Sequence, residues 1–246
     1  MTDTMTLDRQ RLAGQVLRNA SHACRALVLY GSMVEGLGNP ASDIDVLAIT
    51  GHDRAMQILR HGDRYVHVEY HPEQELRGAI ARIETDLGTR QLDLNLLACR
   101  LGSGSAVILH DPEGAAAELL ELAQAYRPSP ALIEKFLRQS FGLYHDAVGA
   151  YRAGEFAHAL LLTRLSLQVF TAYRLLGAGQ TLLSLKWQHM VARGALGDDQ
   201  DFWETYCAVL DLPGSGAERD AAGHAMSAVR SLLRDAAGGS SDAFAS

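Results

Sequence analysis

The stretch Leu27-Val28-Leu29-Tyr30-Gly31-Ser32, followed after ten residues by Asp43-Ile44-Asp45-Val46, decides how the chain is read. The short apolar run Ala26–Tyr30 ends at Gly31 and predicts a buried strand. Gly36, Gly38, Asn39 and Pro40 mark a loop, and Ile44–Thr50 predicts a second strand. Successive strand side chains point to opposite faces. Asp43 and Asp45 therefore share one face, while Ile44 and Val46 turn the other way into a core. Two adjacent carboxylates repel each other unless a cation lies between them. Magnesium prefers hard oxygen ligands and keeps waters beside substrate phosphates, so an Asp-x-Asp at a strand edge suits it. Gly31 lets the backbone turn and approach a ligand closely. Ser32 adds a hydroxyl and a backbone N–H, donors of the kind that hold phosphate at a helix start. The helix they would open is expected around Met33 to Gly36.

Outward from this core, residues 8–24 read as a helix with Leu12, Val16 and Leu17 on one face. Residues 52–61 look like a short helix. Tyr65–Tyr70 alternates and is rich in Val and Tyr, a third strand. Its alternation continues through His71 and sets His67, Glu69 and His71 on one face against Val66, Val68 and Tyr70. Glu69 becomes the candidate third carboxylate, ahead of Glu84 and Asp93, which fall in a helical pattern. The His67-Glu69-His71 face could itself hold a transition metal, but two aspartates beside Gly-Ser suit magnesium and phosphate better. Residues 73–100 read mainly as helix, broken near Gly88. Ala106–His110 is a fourth short strand, stopped by Asp111-Pro112, where Asp111 serves as a cap.

Arg127-Pro128-Ser129-Pro130 interrupts helix and stiffens the chain, marking a boundary between domains. Beyond it the pattern is helical over 131–151, 155–176, 181–193, 199–210 and 216–236, with 237–246 a flexible tail. The expected plan is α+β: a catalytic domain over 1–127 with a small mixed sheet flanked by helices, then an all-helical bundle over 128–236.

The whole motif, from Val28 to Ser32 and from Ser42 to Val46, resembles the signature of the DNA polymerase beta superfamily of nucleotidyltransferases: apolar strand, Gly-Ser, about ten residues, Asp-x-Asp. Ala106–Gly114 and the region Tyr151–Met190 resemble antibiotic nucleotidyltransferases, those acting on aminoglycosides and lincosamides. The resemblance implies transfer of a nucleoside monophosphate, AMP from ATP or another triphosphate, to a hydroxyl of a small molecule with release of pyrophosphate. It implies one or two Mg2+ ions on Asp43, Asp45 and Glu69, with Glu69 a metal ligand, the base toward the acceptor, or both. It places Gly31, Ser32, Ser42 and Lys186 against the nucleotide. Lys186, one of only two lysines with Lys135, would meet the phosphates. Glu134, Asp146 and Glu155 are the helical half's acids for a cationic acceptor. Dimers are common in the family, so a homodimer is compatible with it. A protein or tRNA acceptor, as in antitoxin-type transferases, and a silent nucleotide-binding module are the competing readings.

Bulk composition narrows the partners. The 246 residues carry 22 Lys and Arg against 29 Asp and Glu, a net charge of −7, and no run of cations reads as a polynucleotide track. Nucleic acid is therefore disfavoured as acceptor. Cys24, Cys99 and Cys207 fit no metal or redox spacing. The acidic, polar N-terminus lacks the apolar core of a signal peptide, and no run is long enough to span a membrane. A cytoplasmic location is expected.

Overall fold

The computed structural model describes residues 8–20, 23–39, 41–51, 55–84, 93–181, 188–211 and 218–236. The chain divides into two compact units, Met1–Arg127 and Pro128–Ser246. In the first unit the elements run α1 (Arg9–Asn19), β1 (Cys24–Tyr30), β2 (Ile44–Thr50), β3 (Ala55–His61), β4 (Arg64–Pro72), α2 (Glu73–Ala81), α3 (Asp93–Gly102), β5 (Val107–His110) and α4 (Ala115–Ala125). The strands form one mixed sheet in the order β3-β4-β2-β1-β5. Among the described residues only the β2–β4 pair is parallel. The acidic strand β2 is thus central, with β1 on one side and β4 on the other.

Both faces of β1 and β2 are covered, which is why they read as unbroken apolar runs rather than alternating ones. On one face Leu12 and Val16 of α1 pack on Leu27, Leu29, Val46, Val66, Val68 and Tyr70. On the other, Val28, Tyr30, Leu47 and Ile49 meet Leu76 and Ile80 of α2, Leu97 and Leu101 of α3, and Leu119 of α4. Helix α1 starts where the Asp8 carboxylate accepts from the Arg11 N–H at 3.0 Å, a side-chain cap for a donor the helix cannot satisfy.

Two local expectations are corrected. The described part of 52–61 is strand β3, not helix. It pairs antiparallel with β4 through His61↔Arg64 across the two-residue turn Gly62-Asp63, where Gly62 adopts φ 66°. That glycine supplies the positive φ such a tight hairpin needs, and the ladder to β4 outweighs local preference. The helix expected from Met33 to Gly36 is a compact turn. The Val34 and Glu35 N–H groups donate to the Gly31 carbonyl, while those of Leu37 and Gly38 fold back to the Ser32 carbonyl. Gly36, at φ 73°, ends it after one round.

The second unit contains α5 (Pro130–Arg152), α6 (Phe156–Gly177), α7 (Gln188–Leu196), α8 (Gln200–Asp211) and α9 (Glu218–Ala236). Ser129 caps α5 by accepting from the Leu132 N–H at 3.1 Å, and Pro130 occupies the first turn, where its missing N–H costs nothing. Ser140 and Ser166 exchange hydroxyl-to-carbonyl bonds of 2.9 and 2.8 Å across the α5–α6 contact, so two small buried polar groups satisfy each other. The bundle core gathers Leu167, Phe170, Phe202, Tyr206, Val229 and Leu233. Among the described residues no helix is long and apolar enough to cross a membrane.

Candidate active site

The acids meet because of register. Tyr30 of β1 stands opposite Asp45, Asp45 opposite His67, and Leu47 opposite Glu69. Paired residues of neighbouring strands project to the same face, so Tyr30, Asp45, His67 and Glu69 share one. Asp43, just before β2, joins them: its Oδ2 lies 3.7 Å from His67 Nε2. The same face holds a core of Leu47 and Ile49 further along β2. The side chains of Asp43, Asp45 and Glu69 are 47%, 25% and 40% exposed, so the acids reach solvent.

Gly31 leaves room for a carboxylate. Its φ is 89°, and a Cβ there would stand 2.1 Å from Asp45 Oδ2 and 2.9 Å from Arg100 Nη1. The missing side chain makes the space that Asp45 fills. Ser32 is buried and its carbonyl closes the turn. Ser42 acts locally: its hydroxyl accepts from the Asn39 N–H at 2.8 Å and its own N–H donates to the Asn39 carbonyl at 2.9 Å. That double tie directs the chain into Asp43. Lys186 lies outside the described residues. Of the secondary candidates, Glu84 accepts from the Tyr126 hydroxyl at 2.5 Å, a structural tie, and nothing is described of the Asp93 side chain. Glu134 and Glu155 pair with Arg138 and His158 on exposed helix surface. Asp111 accepts from the Ala117 N–H at 2.9 Å, the capping role expected of it.

Four further residues shape the site: Tyr30 and His71, which the sequence placed on strands beside the acids, and Arg100 and Glu35, which the sequence reading missed. The Tyr30 hydroxyl donates to the Glu69 carboxylate, and burial together with the charges of Glu69 and Asp45 pushes its pKa far up. It stays a proton donor. His71 is buried, with Nε2 3.3 Å from Glu69 Oε2 and Nδ1 3.6 Å from Glu75 Oε2. Arg100, on α3, reaches in with Nη1 3.7 Å from Asp45 Oδ2 and Nε 3.9 Å from Glu35 Oε1. The Glu35 side chain is only 4% exposed, and neither of its carboxylate oxygens has a hydrogen-bond partner. Burial raises the pKa of Glu35, partly offset by Arg100. Burial also raises Asp45; Arg100 and His67 oppose this, while Glu69 and Asp43 add to it. The readable signal for Arg100 was a lone cation inside the apolar run Leu96-Leu97-Ala98-Cys99-Arg100-Leu101.

The donors suit a hard divalent ion: Asp43, Asp45 and Glu69 offer carboxylate oxygens, and excess negative charge is concentrated around one guanidinium. Among the described residues, no three His, Cys, Asp or Glu side chains form a group that could hold a metal ion as they stand.

Residues 11–95 match the family model described as a nucleotidyltransferase domain. Over that segment the chain is similar to nucleotidyltransferase domains. Its sheet carries the Gly-Ser turn, both aspartates and Glu69. The fold is similar to that of a nucleotidyltransferase-like protein from Exiguobacterium sibiricum 255-15, with a TM-score of 0.52 at 13% identity, covering 96% of this chain and 77% of that one. None of the curated proteins compared matches this chain.

Proposed function

We propose that the nucleotidyltransferase domain moves a nucleoside monophosphate, AMP from ATP in the first instance, onto a hydroxyl of a small molecule. The observation that carries this is the set of acids gathered on one face of the sheet beside the Gly31-Ser32 turn. Asp43 and Asp45, with Glu69 beside them, would hold magnesium, which when bound neutralises triphosphate charge and polarises the α-phosphorus. The chain does the rest. Backbone and hydroxyl donors of the turn grip phosphate oxygens. Glu69 accepts the acceptor's hydroxyl proton, held for that task by the Tyr30 hydroxyl and flanked by His71. A bond forms from the acceptor oxygen to the α-phosphorus, the bond to the β-phosphate oxygen breaks, and pyrophosphate leaves with the electron pair. Positioning and charge neutralisation supply most of the acceleration.

The acceptor side has its own marker. Met56 and Ile58 of edge strand β3 stand opposite Glu69 and His67 on the same face and are 68% and 55% exposed. This apolar shelf beside the proposed base favours a hydroxyl compound with an apolar side over a polynucleotide, in keeping with a net charge of −7. Lincosamides, which have an apolar side, and aminoglycosides, whose cationic amines suit a net charge of −7, are the first acceptors to try.

The test is a screen of nucleotide and acceptor pairs for magnesium-dependent pyrophosphate release. Asp43→Asn and Asp45→Asn should each abolish release from the active pair while the protein remains folded by circular dichroism. Wild-type turnover in either variant would sink the assignment.

A further inference from the structure

Arg100 and Glu35 stand out once the acids have been assigned. A guanidinium in a buried position needs a full set of acceptors. Arg100 is buried, yet its Nε has no hydrogen bond, and it lies between two carboxylates at 3.7 and 3.9 Å without closing on either. Glu35 is buried with both oxygens unpartnered. An ionised carboxylate in that setting is costly unless a cation comes to it. The Gly31 position lets Asp45 and Arg100 crowd the same space, since a Cβ there would lie within 3 Å of both. The arrangement is one cation shared by two acids, one of them solvent-accessible and the other enclosed.

We propose that Arg100 is the resident counter-cation of the acid site, and that Glu35 is the berth to which it withdraws when a divalent ion takes Asp45. The proposal rests on the reading of Asp45 as a metal ligand. With no ion bound, the guanidinium offsets part of the repulsion among Asp45, Asp43 and Glu69. An arriving divalent cation repels it and competes for Asp45. Glu35 then offers two free oxygens a short side-chain swing away, so that neither the guanidinium nor the Glu35 carboxylate is left as an isolated buried charge. Arg100 and Glu35 are positioning residues: neither touches nucleotide or acceptor, and together they set how readily Asp45 is released to the metal.

Mn2+ binding to the full chain without nucleotide, followed by electron paramagnetic resonance, tests this independently of turnover. Glu35→Gln keeps the volume but removes the berth. Arg100 then remains on Asp45, and the Mn2+ dissociation constant should rise about tenfold. Arg100→Met removes the competitor, and Mn2+ binding should tighten. In the double variant Glu35→Gln/Arg100→Met, affinity should equal that of Arg100→Met alone, because Glu35 acts only through Arg100. A purely structural role would weaken binding in both single variants. An unchanged Mn2+ affinity in Glu35→Gln, or weakened binding in a folded Arg100→Met, overturns the proposal. If Arg100→Met does not fold, the near-isosteric Glu35→Gln decides alone. Failure of the underlying reading looks different: wild-type protein that binds no Mn2+, or that binds it equally well as Asp45→Asn, removes Asp45 as a ligand altogether.

Discussion

Gly31→Ala is the sharpest test of how the site is built. At φ 89° an L side chain is strained, which costs roughly 1–2 kcal/mol. The new methyl would also sit 2.1 Å from Asp45 Oδ2 and 2.9 Å from its Cγ. No packing tolerates that, so the carboxylate must leave its place beside Arg100, adding on the order of 1 kcal/mol. The sum, about 2–3 kcal/mol, should lower the melting temperature of the N-terminal unit by roughly 5–10 °C. Both tryptophans, Trp187 and Trp203, lie beyond Pro128, so tryptophan fluorescence would miss this and calorimetry is the right assay. The two components separate in a double-mutant cycle. In an Asp45→Ala background the collision disappears and only the backbone strain remains. Gly31→Ala should then cost about 1 kcal/mol less than in the wild type. Turnover in Gly31→Ala should fall at least ~100-fold, the usual penalty for a reacting group displaced by about an ångström. Equal costs in the two backgrounds would refute the idea that Gly31 exists to admit the Asp45 carboxylate.

Other perturbations reach different layers of the molecule. Tyr30→Phe deletes the donor to Glu69; kcat should drop about tenfold with a stability loss near 1 kcal/mol, and unchanged kcat would remove Tyr30 from the orientation of the base. Gly102→Ala would bring a Cβ to 2.8 Å from the Ala123 carbonyl oxygen, where backbone rather than a movable side chain is in the way. A destabilisation of about 1–3 kcal/mol is expected, and a neutral thermal melt would contradict the close α3–α4 approach. Asp199 accepts from the Phe202 N–H at 3.1 Å and pairs with Arg174 at 2.7 Å. Arg174 first, and the Phe202 N–H second, hold its pKa below the usual 3.8. A folded-state pKa that is depressed gives stability that is complete above the unfolded value and fades as pH falls through the folded one. Asp199→Ala should therefore cost roughly 1 kcal/mol at neutral pH, mostly the lost cap. The gap from wild type in urea melts should narrow as pH falls below 3.8, and a gap that widened in acid would reverse the assignment.

The sheet was legible because its strands are buried on both faces. Apolar runs such as Ala26–Tyr30 and Ile44–Thr50 leave a strong local trace, and the spacing from Gly31-Ser32 to Asp43-x-Asp45 belongs to one short segment of chain. Strand β3 was misread because an edge strand has one exposed face. Met56 and Ile58 point outward, so no burial pattern marks the strand, and only pairing with β4 makes it one. The turn at Met33–Gly36 was misread as helix because nothing local reveals that the Leu37 and Gly38 amides return to Ser32.

Covalent neighbours alone determined that two aspartates share a face and that Glu69 belongs to the strand face bearing His67 and His71. Side-chain alternation is a local property of an extended backbone, so no tertiary information was needed. Only the folded chain decided that β4 lies parallel beside β2 and brings Glu69 to the aspartates. It alone decided that Tyr30 donates to Glu69 and that Arg100 and Glu35 close in behind Asp45. Those contacts join residues up to 65 positions apart, from Glu35 to Arg100. They exist because burying the sheet between α1 and the α2–α4 layer leaves a few charges in a confined space, where they must find one another.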